Sequence, residues 1–155
     1  KQRILTFLNP DLDPMGSAYH IIQSVTAIGS GGFFGKGFGQ GSQTQLKFLP
    51  VQESDFILSV IAEEFGFMGV SVVMIIFFLF IKTLLDIAFK LSDYFSSLVI
   101  VGITSILLSH IFINSAMTIG LLPVKGLPLP FISAGGSFLL SCFIMLSLVI
   151  NLSDN

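Results

Sequence analysis

Residues Phe65–Ile81 read FGFMGVSVVMIIFFLFI, without one Asp, Glu, Lys or Arg, and that run decides the fold class. A helix crossing the hydrocarbon core of a bilayer, about 30 Å thick, needs such a continuous apolar stretch. Tyr94–Val124 and Gly126–Ser153 are likewise free of charged side chains. The whole chain follows the same rule. Its 155 residues are 53% hydrophobic and 10% charged, with a mean hydropathy of +0.93. Globular domains carry roughly 25% charged residues, and so few charges cannot cover a soluble surface. We therefore expect an all-α polytopic membrane protein, or a piece of one, with a long loop region and three transmembrane helices.

Outward from that run the chain divides in two. Residues 1–55 hold 8 of the 16 charged residues and 8 of the 15 glycines, and read as a loop region outside the hydrocarbon. Asn9-Pro10-Asp11 and Asp13-Pro14 are turn signals. Ala18, Ile21, Ile22, Val25 and Ile28 recur at helical spacing, which predicts a short amphipathic helix at the membrane surface. Gly29–Gly41 then places seven glycines in thirteen residues, where no regular element should persist. Residues 56–155 form the membrane region, with spans expected at about 56–81, 95–116 and 133–152. Lys82–Asp93 reads as a polar link, and short links make the three helices antiparallel neighbours. The uncharged part of the first span, from Phe65, covers only about 26 Å at 1.5 Å per residue, so the crossing is expected to use the turns carrying Glu63 and Glu64.

Composition excludes several classes of function. A net charge of −2 offers no basic patch for nucleic acid, and the single Cys142 excludes a disulfide scaffold or a thiolate zinc site. The glycine-rich segment also fails as a nucleotide loop. Ser30 stands where a Walker A loop needs its first glycine, Gly37 where it needs Ser or Thr, and Ser42 where the dinucleotide fingerprint needs its third glycine.

Few residues remain that can carry chemistry. Asp55, at the junction of loop and first span, can serve as a general base or hold a divalent cation; alternatively it or Ser54 simply caps the helix. An ionised carboxylate inside a membrane helix costs roughly 2.5–3.5 kcal/mol on the mildest scale, so Glu63 or Glu64 should face a polar cavity or a cation. We expect Glu64 to face a hydrated cavity beneath Asp55, which requires an irregular helix start; a regular start would put Glu63 there instead. His110 and Asn114, four residues apart on one face, either line a cavity or make an interhelical hydrogen bond. The glycine bed with Lys36 either cradles an anionic group such as a diphosphate or is a tight, small-residue crossing between elements; Lys125, in the proline-rich Leu122–Phe131 segment, can pair with a glutamate or bind phosphate, or is a snorkelling lysine. Ser133-Ala-Gly-Gly-Ser137 opens the last span, either to bind an anion or to let helices approach closely.

Taken together, Asp13-Pro14, Gln23-Ser24, Ala27–Gly32, Gly35–Gly41, Phe48-Leu-Pro50, Ser54-Asp-Phe-Ile57, Ala62-Glu-Glu64 and Leu122–Ser137 resemble the SEDS proteins (shape, elongation, division and sporulation) of the RodA and FtsW type. The resemblance runs in order through nearly the whole chain. It implies the last large extracellular loop and last three spans of a multi-pass glycosyltransferase of the bacterial inner membrane. Residues 1–55 and the Lys125 loop would then lie outside, and Lys82–Asp93 in the cytoplasm.

The activity implied is an inverting polymerisation of lipid II, an undecaprenyl-diphosphate donor, into peptidoglycan strands. The family's essential loop aspartate falls on Asp55, as base or as ligand to Mg or Mn, with no organic cofactor. Lys36, Gln40, Lys125, Ser133, Gly135, Gly136 and Ser137 would bind substrate, and Glu63, Glu64, His110 and Asn114 would support the site. Implied partners are a class B penicillin-binding transpeptidase and other elongation or division proteins. Ala134 and Ser54 stand where many members have an aromatic residue and Thr. Phe48–Glu53 looks like the elongation branch, whereas Lys125 also occurs in division-type relatives. A lipid II flippase, with Glu63, Glu64 and His110 as a polar pathway, and a non-catalytic scaffold for the transpeptidase are the alternatives.

Overall fold

A computed structural model describes residues 17–39, 55–123 and 126–153. They contain four helices: α1 Ser17–Gly31, α2 Ile57–Lys90, α3 Tyr94–Thr118 and α4 Gly136–Ser153. The last three are long and apolar enough to cross a membrane, and the all-α polytopic expectation stands. α2 and α3 form an antiparallel hairpin. Phe77, Ile81, Leu84 and Ala88 of α2 meet Ile100, Ile103, Leu107 and Ile111 of α3, and Leu129, Cys142 and Val149 complete the core. On both helices these residues recur every three or four positions, which keeps one seam facing the partner. The opposite faces stay apolar and exposed, with Ile75, Ile76, Phe78 and Leu79 on α2 and Leu140, Phe143 and Ile144 on α4, as suits lipid or further spans.

Helix ends follow local chemistry. Asp93 caps α3 by accepting from the Ser96 hydroxyl and, at 2.9 Å, the Ser96 N–H, and these bonds hold its carboxyl below the usual range. At the other end of α3, the N–H groups of Gly120 (φ 77°) and Leu121 return to the carbonyls of Met117 and Ala116, closing it in a Schellman turn.

Two expectations are corrected. α2 does not stop near residue 81 but continues to Lys90, because Lys82, Asp86 and Lys90 stay exposed while Ile81, Leu84 and Ala88 are buried. The expected polar link is an amphipathic last stretch of helix. From Phe67 to Lys90 the helix measures about 36 Å, but its uncharged part, Phe67 to Ile81, covers only about 22 Å, short of the roughly 30 Å hydrocarbon core. The second correction concerns the glycine-rich segment. Against the expectation that no regular element persists there, helix α1 runs on to Gly31, and residues 32–37 are then knitted into α2 as a tight, small-residue crossing.

That knitting occurs where α2 breaks. Gly66 has φ 68° and ψ −163°, a region open essentially to glycine alone. The break withdraws the N–H groups of Phe67 and Met68 from Glu63 and Glu64, their regular acceptors one turn back. The glycine segment takes up all four groups. Phe67 and Met68 donate to the carbonyls of Gly32 (3.0 Å) and Phe33 (3.2 Å), while the N–H groups of Lys36 and Gly37 donate to the carbonyls of Glu63 and Glu64, both at 3.0 Å. Such intimacy requires a missing side chain. A Cβ on Gly35 (φ 79°) would run into the Glu64 carbonyl, and one on Gly66 into Gly35 N and Phe33 O.

An ion pair pins the same place. Lys36 Nζ lies 3.0 Å from Glu63 Oε1, with the glutamate side chain fully buried and the lysine 31% exposed, and Gly39 N–H donates to Glu64 Oε1 at 3.1 Å.

Two outcomes test this junction in the full-length protein. Gly66→Ala should cost several kcal/mol, from about 1–3 of backbone strain and a similar overpacking penalty, seen as a lower melting temperature in detergent or loss of folded protein. An unchanged melting temperature would contradict the junction. Lys36→Met should destabilise by roughly 2 kcal/mol, between the values for exposed and buried pairs, and adding Glu63→Gln should restore part of that loss.

Candidate active site

Asp55 immediately precedes α2, and the sequence left open whether it caps the helix. It does not. The N-cap residue is Phe56, with no side-chain cap bond. The first turn closes instead on the Phe56 carbonyl, which accepts from Ser59 Oγ at 2.7 Å and Ser59 N–H at 3.0 Å. Ser54, the other candidate cap, lies outside the described residues. The half-buried Asp55 is therefore set toward a different element. A Cβ built on Gly126 (φ 65°) would stand 3.3 Å from Asp55 Oδ2, so the carboxylate rests on a bare stretch of the α3–α4 loop.

That loop is rich in proline and would strand main-chain polar groups if it lay unsupported in an apolar setting. The polar face of α3 supplies the support. Asn114 Nδ2 donates to the Leu127 carbonyl at 2.8 Å and to the Asp55 carbonyl at 3.0 Å. His110 Nδ1 lies 3.4 Å from the Pro128 carbonyl, its ring stacked on Phe138 at a centroid distance of 4.7 Å. Leu129 N–H donates to Ser133 Oγ at 2.8 Å, and Ser133 N–H returns a bond to the Leu129 carbonyl at 3.1 Å. His110 and Asn114 thus hold a loop, their hydrogen bonds among the described residues going to main-chain carbonyls rather than to a neighbouring helix. The polar shell continues to α1, where Ser24 Oγ donates to the Thr118 carbonyl and Thr118 Oγ1 to that of Asn114, both at 2.7 Å.

The structure sorts the remaining candidates by their partners. Asp55, His110, Asn114 and Ser133 gather around residues 126–130. Glu63, Glu64 and Lys36 belong to the junction at Gly66, so the irregularity expected at the start of α2 lies beyond both glutamates. The buried member of the Glu-Glu pair is Glu63, and its charge is matched by Lys36 rather than aimed beneath Asp55. That pairing weakens the pull of Lys36 on a phosphate. Ser133 is buried and bonded within its turn, whereas Gly136 and Ser137 are exposed at the N-terminus of α4, with Gly135 partly covered before it. Gln40 and Lys125 lie outside the described residues.

Sequence reasoning missed Gly126, Leu127 and Pro128, which contribute only backbone to the site. The signal available was that a Gly-Leu-Pro-Leu-Pro run has few main-chain donors and needs an external partner for its carbonyls. The apolar cleft lined by Val73, Phe77, Phe80, Phe131 and Ile132 offers no group for proton transfer. Among the described residues no three of His, Cys, Asp or Glu converge as metal ligands.

Comparison with known proteins gives the family. The family model described as "Cell cycle protein", that of FtsW, RodA and SpoVE, matches residues 1–155. The peptidoglycan glycosyltransferase MrdB of Escherichia coli (strain K12) is 45% identical over 140 residues, covering 90% of this chain and 38% of the relative. Stage V sporulation protein E of Bacillus subtilis (strain 168) is 40% identical over 152 residues, 98% of this chain and 41% of the relative. A chain solved under "Structural coordination of polymerization and crosslinking by a peptidoglycan synthase complex" superposes with a TM-score of 0.81 and 27% identity, over 99% of this chain and 41% of that one. The chain thus spans about two fifths of the length of these relatives. With the family model matched from end to end and relatives at this identity, the chain belongs to the FtsW, RodA and SpoVE family of multi-pass membrane proteins.

Proposed function

We propose that the whole protein is a peptidoglycan glycosyltransferase of the bacterial inner membrane that polymerises lipid II in elongation or division, and that Asp55 is its catalytic carboxylate. One observation carries the reading. Asp55 leaves the helix cap to Phe56 and instead rests on Gly126, its main chain tied to the loop by Asn114, in a chain with relatives named peptidoglycan glycosyltransferases.

In the proposed step the acceptor 4-hydroxyl attacks the anomeric carbon of the donor sugar. The bond from that carbon to the diphosphate breaks with inversion, Asp55 takes the hydroxyl proton, and undecaprenyl diphosphate leaves with the bonding electrons. A general base contributes a factor of ~10²–10⁴, or about 3–5 kcal/mol of barrier. We assign donor recognition to Gly136 and Ser137 at the α4 N-terminus, flanked by Gly135, with Gln40 and Lys125, since helix N-termini and cations suit a diphosphate. Lys36 and Ser133 serve instead to hold structure.

Mg or Mn remains a second role for Asp55. Magnesium sites commonly combine one or two carboxylates with substrate phosphates. The described residues bring no second and third ligand to Asp55, so such a site would rest on the donor, and no step above depends on it. A class B penicillin-binding protein is the partner we propose, in line with the polymerisation and crosslinking named for the solved complex. A flippase would run its polar path through Glu63, Glu64 and His110, but their contacts are to Lys36, Gly39 and Pro128.

Asp55→Asn in the full-length protein should abolish strand synthesis from purified lipid II while leaving membrane insertion and melting unchanged. More than about a tenth of wild-type turnover is too much to survive the loss of a base worth ~10² or more, and would return the protein to the scaffold reading.

A further inference from the structure

The catalytic reading names Asp55 but leaves unexplained how a residue ahead of the first turn of α2 is held still. It has no cap bond to fix it. Its carboxylate rests against a glycine. The rigid element nearby is α3, which presents one fully buried polar side chain at this level, Asn114.

We infer that Asn114 is a positioning residue for the transfer step: its amide staples the Asp55 main chain to the Leu127 main chain, and so sets where the Asp55 carboxylate stands over Gly126. The geometry uses the whole donor capacity of the side chain. A primary amide carries two N–H groups on one nitrogen, and Asn114 Nδ2 meets two carbonyls, Asp55 at 3.0 Å and Leu127 at 2.8 Å. Ser and Thr, with a single hydroxyl donor, could serve only one of them. The amide oxygen, Oδ1, is buried and has no hydrogen-bond partner among the described residues. The nitrogen end therefore does the joining, and a side chain of the same shape that cannot donate would not replace it. α3 also holds the staple from behind. Asn114 stands one turn before Thr118, whose hydroxyl bonds the Asn114 carbonyl and whose own carbonyl accepts from Ser24 of α1. His110, one turn earlier, steadies Pro128 next to the stapled Leu127. The loop and the start of α2 thus meet at one side chain, and α1 bonds the same helix one turn further on.

This inference rests on Asp55 being the catalytic carboxylate, and the experiment separates the two. Full-length protein is prepared with its transpeptidase partner as wild type, Asn114→Ala, Asn114→Asp and Asp55→Asn, and strand synthesis is followed at varied lipid II concentration. A misplacement of about 1 Å can cost about 10²-fold in rate. Asn114→Ala should accordingly lower kcat by about 10- to 100-fold with KM for lipid II nearly unchanged. Asn114→Asp keeps shape and volume, but buried against two carbonyls it is held neutral and has one hydroxyl donor for the two of them, so it too should lose kcat, though less than alanine does. A role in packing alone predicts near-normal turnover for Asn114→Asp. Wild-type kcat in either Asn114 variant overturns the inference, and so does a raised KM with unchanged kcat, which would mark a substrate contact. Failure of both variants to accumulate as folded complex also overturns it, since the residue then serves the fold. If Asp55→Asn stays active, the catalytic reading itself falls and the inference with it. If Asp55→Asn is dead and the Asn114 variants are normal, only the inference falls.

Discussion

A helix within a membrane protein can break only where something else takes up the main-chain groups it releases. Each unsatisfied N–H or C=O in hydrocarbon costs several kcal/mol, and α2 releases four of them at Gly66. The glycine-rich segment is the answer to that constraint. Its carbonyls at Gly32 and Phe33 and its N–H groups at Lys36 and Gly37 exchange with α2 one for one, so the loop functions as the missing turn of the helix. The segment connecting α1 to the rest of the chain is thereby locked to the first span, and α1 is placed where Ser24 reaches Thr118 of α3.

The same accounting recurs at the second irregular stretch. Residues 126–130 cannot form a helix, because Pro128 and Pro130 lack N–H groups and the residue before a proline avoids helical geometry. Their carbonyls are met from outside by Asn114 and His110, and the N–H of Leu129 by Ser133. Asp55 joins this arrangement through its own carbonyl. The two irregular stretches thus differ in role: one repairs a broken helix, and the other carries the candidate carboxylate. The half-buried Lys36–Glu63 pair belongs to the first.

Much of the architecture was legible. Charge-free runs of membrane length located three spans, the helical spacing of Ala18 to Ile28 located α1, and the proline-rich Leu122–Phe131 segment fell between α3 and α4. Asp55 was singled out by its junction position and by its motif. The legible part rests on one-dimensional rules: hydrocarbon tolerates no charge, helices repeat at 3.6 residues, and proline and glycine interrupt. Where those rules misled, the cause was local. Lys82, Asp86 and Lys90 looked like a link because charge counts ignore which face of a helix a residue occupies.

Composition and periodicity alone yield the set of apolar helices, their order and the polar residues that hydrocarbon would not accept without partners. Which partner each one received depends on the folded backbone. Glu63 could have faced Asp55, water or another helix, and the break at Gly66 turned it to Lys36. Asn114 could have bridged helices, and the loop at Leu127 and the start of α2 instead brought two carbonyls to one amide. The reason is physical. A hydrogen bond is fixed by the meeting of two groups far apart in the chain, Asn114 and Asp55 or Phe67 and Gly32, and sequence spacing says nothing about that meeting until the backbone has been folded around it.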